Sequence, residues 1–198
     1  MFTGIIEEIG TVIDRQQSNG NVNFTIQCTF THQLQVDQSV AHNGCCLTVV
    51  AVNKANSSYV VTAIKETLMV TNLAHWIIGS KINLERSMLM NGRIDGHIVQ
   101  GHVDGLATCD KIIIENGSWK FCFSHASKEI TVEKGSITVN GTSLTVVDAA
   151  PNSFAVCIIP YTFENTNFHV LNEGDTVNIE FDIIGKYVSK WLSTSQVN

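Results

Sequence analysis

SVAHNGCCLTVV, residues 39–50, returns as SITVNGTSLTVV, residues 136–147, at a separation of 136 − 39 = 97. Upstream, FTGIIEEIGT (residues 2–11) matches VQGHVDGLAT (residues 99–108) at the same separation. Downstream, IKETLMVTNLAHWIIGSKINLERS (residues 64–87) matches IPYTFENTNFHVLNEGDTVNIEFD (residues 159–182) at 159 − 64 = 95. Three collinear matches, offset by one short deletion, describe a duplicated domain; solenoid repeats are far shorter. Two similar pockets in one chain suit a reaction between two similar molecules.

The periodicity within each copy is two. Phe24, Ile26, Cys28 and Phe30 alternate with polar residues, as do Trp119, Phe121 and Phe123, and again Val177, Ile179 and Phe181. Alternation of this kind marks strands with one buried face. Turns are signalled by Ser18-Asn19-Gly20, Asn91-Gly92 and Asn116-Gly117, and the shared Asn43-Gly44 and Asn140-Gly141 read as hairpin turns. Halves this short do not hold two-sheet sandwiches of many long strands, so the expectation is all-β, two tandem closed Greek-key barrels. The first domain is expected over residues 1–90 and the second over 96–183, with Met88–Asp95 as linker.

The tail changes period. Ile183, Ile184, Tyr187, Val188, Trp191 and Leu192 recur at helical spacing, with Lys186 and Lys190 opposite, which predicts a helix over 184–196. So short a helix needs a packing partner, either its own barrels or another subunit.

Composition narrows the function classes. The chain has 198 residues, 44% hydrophobic and 15% charged, as in a compact domain pair. A net charge of −6 argues against nucleic acid, whose phosphates need clustered Lys and Arg. No Gly-rich phosphate cradle opens a helix. No stretch approaches the roughly 18 apolar residues of a membrane span, and MFTGIIEEIG lacks the layout of a signal peptide. Six cysteines without a CxxC pair are expected as reduced thiols in the cytoplasm. On that reading the sequons at Asn56, Asn116 and Asn140 arise by chance.

The chemistry is expected where the copies differ. Cys46 stands against Ser143, Ile5 against His102, Glu66 against Tyr161, and Ser87 against Asp182. Each has a plainer reading: Cys46 as a small core hydrophobe, Lys134 and Asp182 as solvated charges, Ser143 and Thr145 as exposed hydroxyls. His97 and His102 are five apart, so on a strand they face opposite sides, which argues against a shared metal.

MFTGI, SVAHNGCCLTV, DGHIVQGHVDG, NGTSLTV and VNIEFD together resemble the two-barrel riboflavin synthases, over residues 1 to about 192. The resemblance implies a dismutation of two molecules of 6,7-dimethyl-8-(1-D-ribityl)lumazine, one donating a four-carbon unit and the other accepting it. The products are riboflavin and 5-amino-6-(D-ribitylamino)uracil, with no cofactor and no metal. The substrate supplies its own electron sink, because its C7 methyl is acidic. The protein's task is then orientation and proton transfer.

The resemblance also implies an active site between one subunit's first barrel and a neighbour's second, in a homotrimer joined by C-terminal helices. Some relatives sit inside a lumazine synthase capsid, a partner it leaves open. Implied contacts in the first barrel are Gly4, Ile5, Ile6, Cys46, Leu47, Thr48, Thr62, Ala63, Ile64, Lys65, Glu66 and Thr67. In the second they are Gly101, His102, Val103, Lys134, Ser143, Leu144, Thr145, Cys157, Ile158, Ile159, Pro160, Tyr161 and Thr162. The implied catalytic set is Ser39, Cys46, His97, His102, Lys134, Ser143 and Asp182, with Ser143 expected near Asp182. Two departures stand out: Asp95-Gly96-His97 where Gly-Gly-His is usual, and Tyr161 where the family carries an acid. The lumazine antenna proteins of luminous bacteria share the fold without the chemistry, but tend to lose the imidazole at His102. A Cys/His zinc protein is a third reading.

Overall fold

The structure is a computed structural model and describes residues 1–195. The first half contains β1 (Glu8–Ser18), β2 (Asn21–Gln27), β3 (Ser39–His42), β4 (Cys45–Asn53), β5 (Ser58–Ala63), α1 (Lys65–Val70) and β6 (Lys81–Arg86). The second contains β7 (Gly105–Glu115), β8 (Ser118–His125), β9 (Ser136–Val139), β10 (Thr142–Ala150), β11 (Ser153–Ile158), α2 (Pro160–Asn165) and β12 (Thr176–Phe181). The first barrel closes in the order β1-β2-β5-β4-β3-β6, and the second in the equivalent order β7-β8-β11-β10-β9-β12. All pairings are antiparallel, and closure leaves neither barrel with a free sheet edge.

Alternation predicts the interiors well. Phe24 and Ile26 fill the first core, and Phe121, Phe123, Val177 and Ile179 the second. It runs too far in one place: β2 ends at Gln27, and Phe30 is buried from a 3-10 turn over Thr29–Gln33. It also mislabels one face of β12. Asn178 and Glu180 occupy the supposed solvent positions yet, like Asn83 and Glu85 on β6, are at most 5% exposed. Their outer face meets the other barrel.

That junction is built from asparagines on a pseudo-twofold axis. Asn83 Nδ2 donates to Asn140 O at 2.8 Å and to Asn167 Oδ1 at 2.9 Å, while Asn167 N donates to Asn83 Oδ1 at 2.7 Å. In the mirror half, Asn178 Nδ2 donates to Asn43 O at 2.9 Å and Asn72 N to Asn178 Oδ1 at 2.7 Å. The Asn-Gly turns are confirmed, with φ of 45° at Asn43 and Asn140 and 80° and 81° at Gly44 and Gly141. The two glycines also touch: a Cβ on Gly44 would stand 2.9 Å from Gly141 N, so a side chain there would push the barrels apart. Asn140, one of the three sequons, is buried in this junction.

The expected linker falls inside the irregular stretch 87–104 between β6 and β7, which is tied back by Met88 N donating to Met1 O at 3.0 Å. The tail helix α3 spans Ile183–Ser195; position 196, the last of the expected span, lies outside the described residues. None of its residues is buried. Its hold on the barrel is the pair Lys186 Nζ to Asp104 at 2.6 Å, while Ile184, Tyr187, Val188, Trp191 and Leu192 are each at least 50% exposed. No helix of the described residues is long and apolar enough to cross a membrane.

Candidate active site

The two barrels exchange short segments at their junction. Glu85, at the end of β6, accepts from Thr3 N (2.7 Å), Thr3 Oγ1 (3.0 Å) and Gly4 N (3.0 Å). The segment so held reaches the other barrel, where Gly4 O accepts from Ser143 N at 2.8 Å. Glu180, the equivalent residue of β12, accepts from Gln100 N (2.7 Å), Gly101 N (2.9 Å) and His102 N (2.8 Å). Gly101 O in turn accepts from Cys46 N at 2.8 Å. Three donors apiece satisfy carboxylates that burial holds above the usual carboxylate range. Glycine is required at both crossings, since a Cβ on Gly4 would lie 2.5 Å from Ser143 Cβ and one on Gly101 2.6 Å from Cys46 Cβ.

This crossing rearranges the grouping drawn from sequence. Gly4, Ile5 and Ile6 were expected beside Cys46, but Gly4 lies against Ser143, and Ile6 shares a groove of about 260 Å³ with Tyr161 of α2. Gly101, His102 and Val103 were expected beside Ser143, but Gly101 lies against Cys46 and Val103 packs on the first core. The reason is the swap itself: each segment is clamped by the barrel it precedes and delivered to the opposite one.

The imidazoles separate accordingly. Both precede β7 in irregular backbone, so strand alternation does not govern where they point. His97 Nδ1 is 2.6 Å from Ser143 Oγ and its Nε2 is 3.2 Å from Thr138 Oγ1. Burial pushes the His97 pKa down, with the Asp182 charge opposing, so the ring is neutral at pH 7 and able to take a proton. The direct partner of Ser143 is thus His97. Asp182 acts on that imidazole through its charge, while its Oδ1 accepts from Ile184 N at 3.0 Å where α3 begins. His102 is exposed, its backbone fixed by Glu180. Cys46 is half-buried, and its thiol makes no hydrogen bond among the described residues.

Ser39 pairs with Thr48 across β3 and β4 and borders a cavity of about 440 Å³ that also touches Thr3, Ile5, Glu85 and Ser87. Thr62 Oγ1 donates to Asn23 Oδ1 at 2.8 Å on the outside of the first barrel, followed by exposed Ile64, Lys65 and Glu66, with Thr67 half-buried. Thr145, Cys157, Ile159, Pro160 and Tyr161 are likewise exposed on the second barrel, and Thr162 is half-buried. Leu47, Ala63 and Ile158 turn their side chains into the cores and Leu144 packs against the second, leaving their backbone for any ligand contact. Lys134 holds φ at 64°, and its side chain stands 72% exposed near Glu133. Among the described residues no three His, Cys, Asp or Glu side chains gather as a metal-ligand set.

Sequence reasoning missed Glu85, Glu180 and Thr138. The first two carried a signal: Asn83-Leu84-Glu85 and Asn178-Ile179-Glu180 share Asn and Glu around an aliphatic residue at the repeat separation. Thr138 carried none, since only folding brings it to His97.

Comparison with known proteins agrees with this architecture. The lumazine binding domain family matches residues 3–87 and 100–182, one copy per barrel. A riboflavin synthase of Actinobacillus pleuropneumoniae is 40% identical, over 97% of this chain and 90% of that protein. One from Bacillus subtilis (strain 168) is 38% identical, over 100% of this chain and 93% of that protein. Among solved structures, LumP complexed with 6,7-dimethyl-8-(1'-D-ribityl) lumazine superposes with a TM-score of 0.82 at 22% identity, covering 91% of this chain and 99% of that one, a likeness of fold. With both repeats matched and full-length relatives at this identity, the chain belongs to the lumazine-binding domain family, among the riboflavin synthases.

Proposed function

We propose that this chain performs the riboflavin synthase reaction, in which two 6,7-dimethyl-8-(1-D-ribityl)lumazine molecules give riboflavin and 5-amino-6-(D-ribitylamino)uracil. The observation that carries the reading is the pair of equivalent pockets furnished unlike: Ser143 with a neutral imidazole at 2.6 Å in one, and Cys46 beside the His102 segment in the other. One lumazine binds against Gly4–Ile6, Ser143–Thr145 and Cys157–Thr162; the other against Gly101–Val103, Cys46–Thr48 and Thr62–Thr67. His97 takes the proton of Ser143, or of a water held there, as oxygen adds at C7 of the donor lumazine. His102 moves the proton of the C7 methyl of the other ring, and Ser39, Lys134 and Asp182 orient and balance charge around them.

The two pockets of one chain open on different barrels, so the reacting pair forms between the first barrel of one subunit and the second of another. The uncovered apolar face of α3 supports a homotrimer joined through these helices. Reduced, unpaired cysteines support a cytoplasmic setting.

Incubation with the lumazine, followed by absorbance of the flavin product, tests the reading. Conversion is expected. His102→Gln should lower kcat on the order of a hundredfold, within the range of general acid–base groups, with lumazine still bound. Binding without conversion by the unaltered protein would make it an antenna-type carrier and end the enzymatic reading.

A further inference from the structure

The second half holds an aromatic stack that its twin lacks. The rings of Trp119 and Phe163 lie 3.9 Å apart between centroids and within 3° of parallel. At the matching places of the first half stand Val22 and Leu68, which contribute to that core as ordinary aliphatic contacts. The difference bears on the pocket because of where the two aromatics sit. Phe163 belongs to α2 and directly follows Tyr161 and Thr162. Trp119, on β8, is the ladder partner of Ile158 on β11. Trp119 therefore meets both ends of the segment that proposed contacts 157–162 occupy: its main chain pairs with the strand, and its ring stacks on the helix.

The segment needs such a grip. The helix α2 is six residues long, and its N-cap Ile159 makes no side-chain cap bond. A helix this short has no stability of its own and takes its position from what it packs against. Parallel overlap also fixes the orientation of Phe163, which an aliphatic contact leaves loose. His169 meets the free side of Phe163 edge-on at 6.5 Å, closing the cluster.

We propose that Trp119 and Phe163 are positioning residues of the second-barrel pocket, whose stack sets α2 and thereby Tyr161 and Thr162 against the bound pterin. The proposal rests on the lumazine reading of that pocket and adds that the second pocket is the more pre-organised of the two.

The test installs the first half's residues, W119V with F163L, and compares lumazine titrations and steady-state conversion with the unaltered protein. KM and the dissociation constant of one of the two sites should rise on the order of three- to tenfold, with kcat nearly unchanged. Restoring an aromatic partner, as W119F with Phe163 intact, should return KM to near its original value. Should the double variant fail to fold, F163L alone, followed by the same titration, decides. Unchanged affinity, a fall in kcat without a rise in KM, or no rescue by W119F would overturn the proposal. An unaltered protein that binds lumazine but makes no flavin would refute the reaction instead, leaving the titrations to judge the stack.

Discussion

The two barrels share a strand order and differ in what they bury and what they present. In the first, His42 and Tyr59 are fully buried and bonded to each other, His42 Nε2 accepting from Tyr59 OH at 2.7 Å. At the equivalent places the second buries Val139 and Phe154. At the rim the order reverses: Ser143 of the second has an imidazole in hydrogen-bond contact, and the Cys46 thiol of the first has none. What the copies keep in common (the asparagine junction and the Glu85 and Glu180 clamps) is what joins the barrels and places the crossed segments. What they vary includes one core pair, one stack and the pocket walls. The duplication thus kept the frame and freed the chemistry.

The strongest test of that frame is at the crossing. Phe2 and Val99 are equivalent residues that bridge each other on the axis, both buried, and the Phe2 ring packs beside Gly101. Phe2→Ala should cost about 3–5 kcal/mol of stability, read by denaturant unfolding, and disturb both pockets. Val99→Ala removes less volume and should cost less; equal losses would break the assumed asymmetry.

The polar pair sharpens the comparison through pH. Burial pushes His42 from 6.5 down to about 4, so between those values the unfolded chain takes up a proton that the folded one refuses. Its contribution is complete above pH 6.5 and is lost as pH falls to 4, roughly 3 kcal/mol in all. The carboxylates of Glu85 and Glu180, raised by burial, act in the opposite sense, so the effect is isolated by comparison with His42→Val/Tyr59→Phe. That double variant carries the second barrel's pair and should show a flatter acid limb. Smaller still are the single changes at pH 7. His42→Val or Tyr59→Phe alone strands one buried partner, costing about 1–3 kcal/mol, whereas the double change should be nearly neutral. Additive losses would mean that the two groups do not act as a pair.

Much of this was legible in the chain. The repeat announced two barrels, alternation found the inner faces of β2, β8 and β12, and helical spacing found α3. Alternation failed at Asn178 and Glu180 because it assumes that the outer face of a strand meets water, whereas here it meets the other barrel. Pocket grouping failed for a related reason: Gly4, Ile6, Gly101 and Val103 precede the barrels they belong to in sequence yet touch the opposite ones, and sequence order does not encode that crossing. Ser143 and His97 are 46 residues apart, and only folding brings them together.

The central claim is that one chain offers two working pterin pockets, and counting bound ligand tests it most directly. Equilibrium dialysis or calorimetry with a non-reacting lumazine analogue should saturate at two molecules per chain, with unequal affinities. Saturation at one, with the second barrel's pocket filled by the protein itself, would contradict the account.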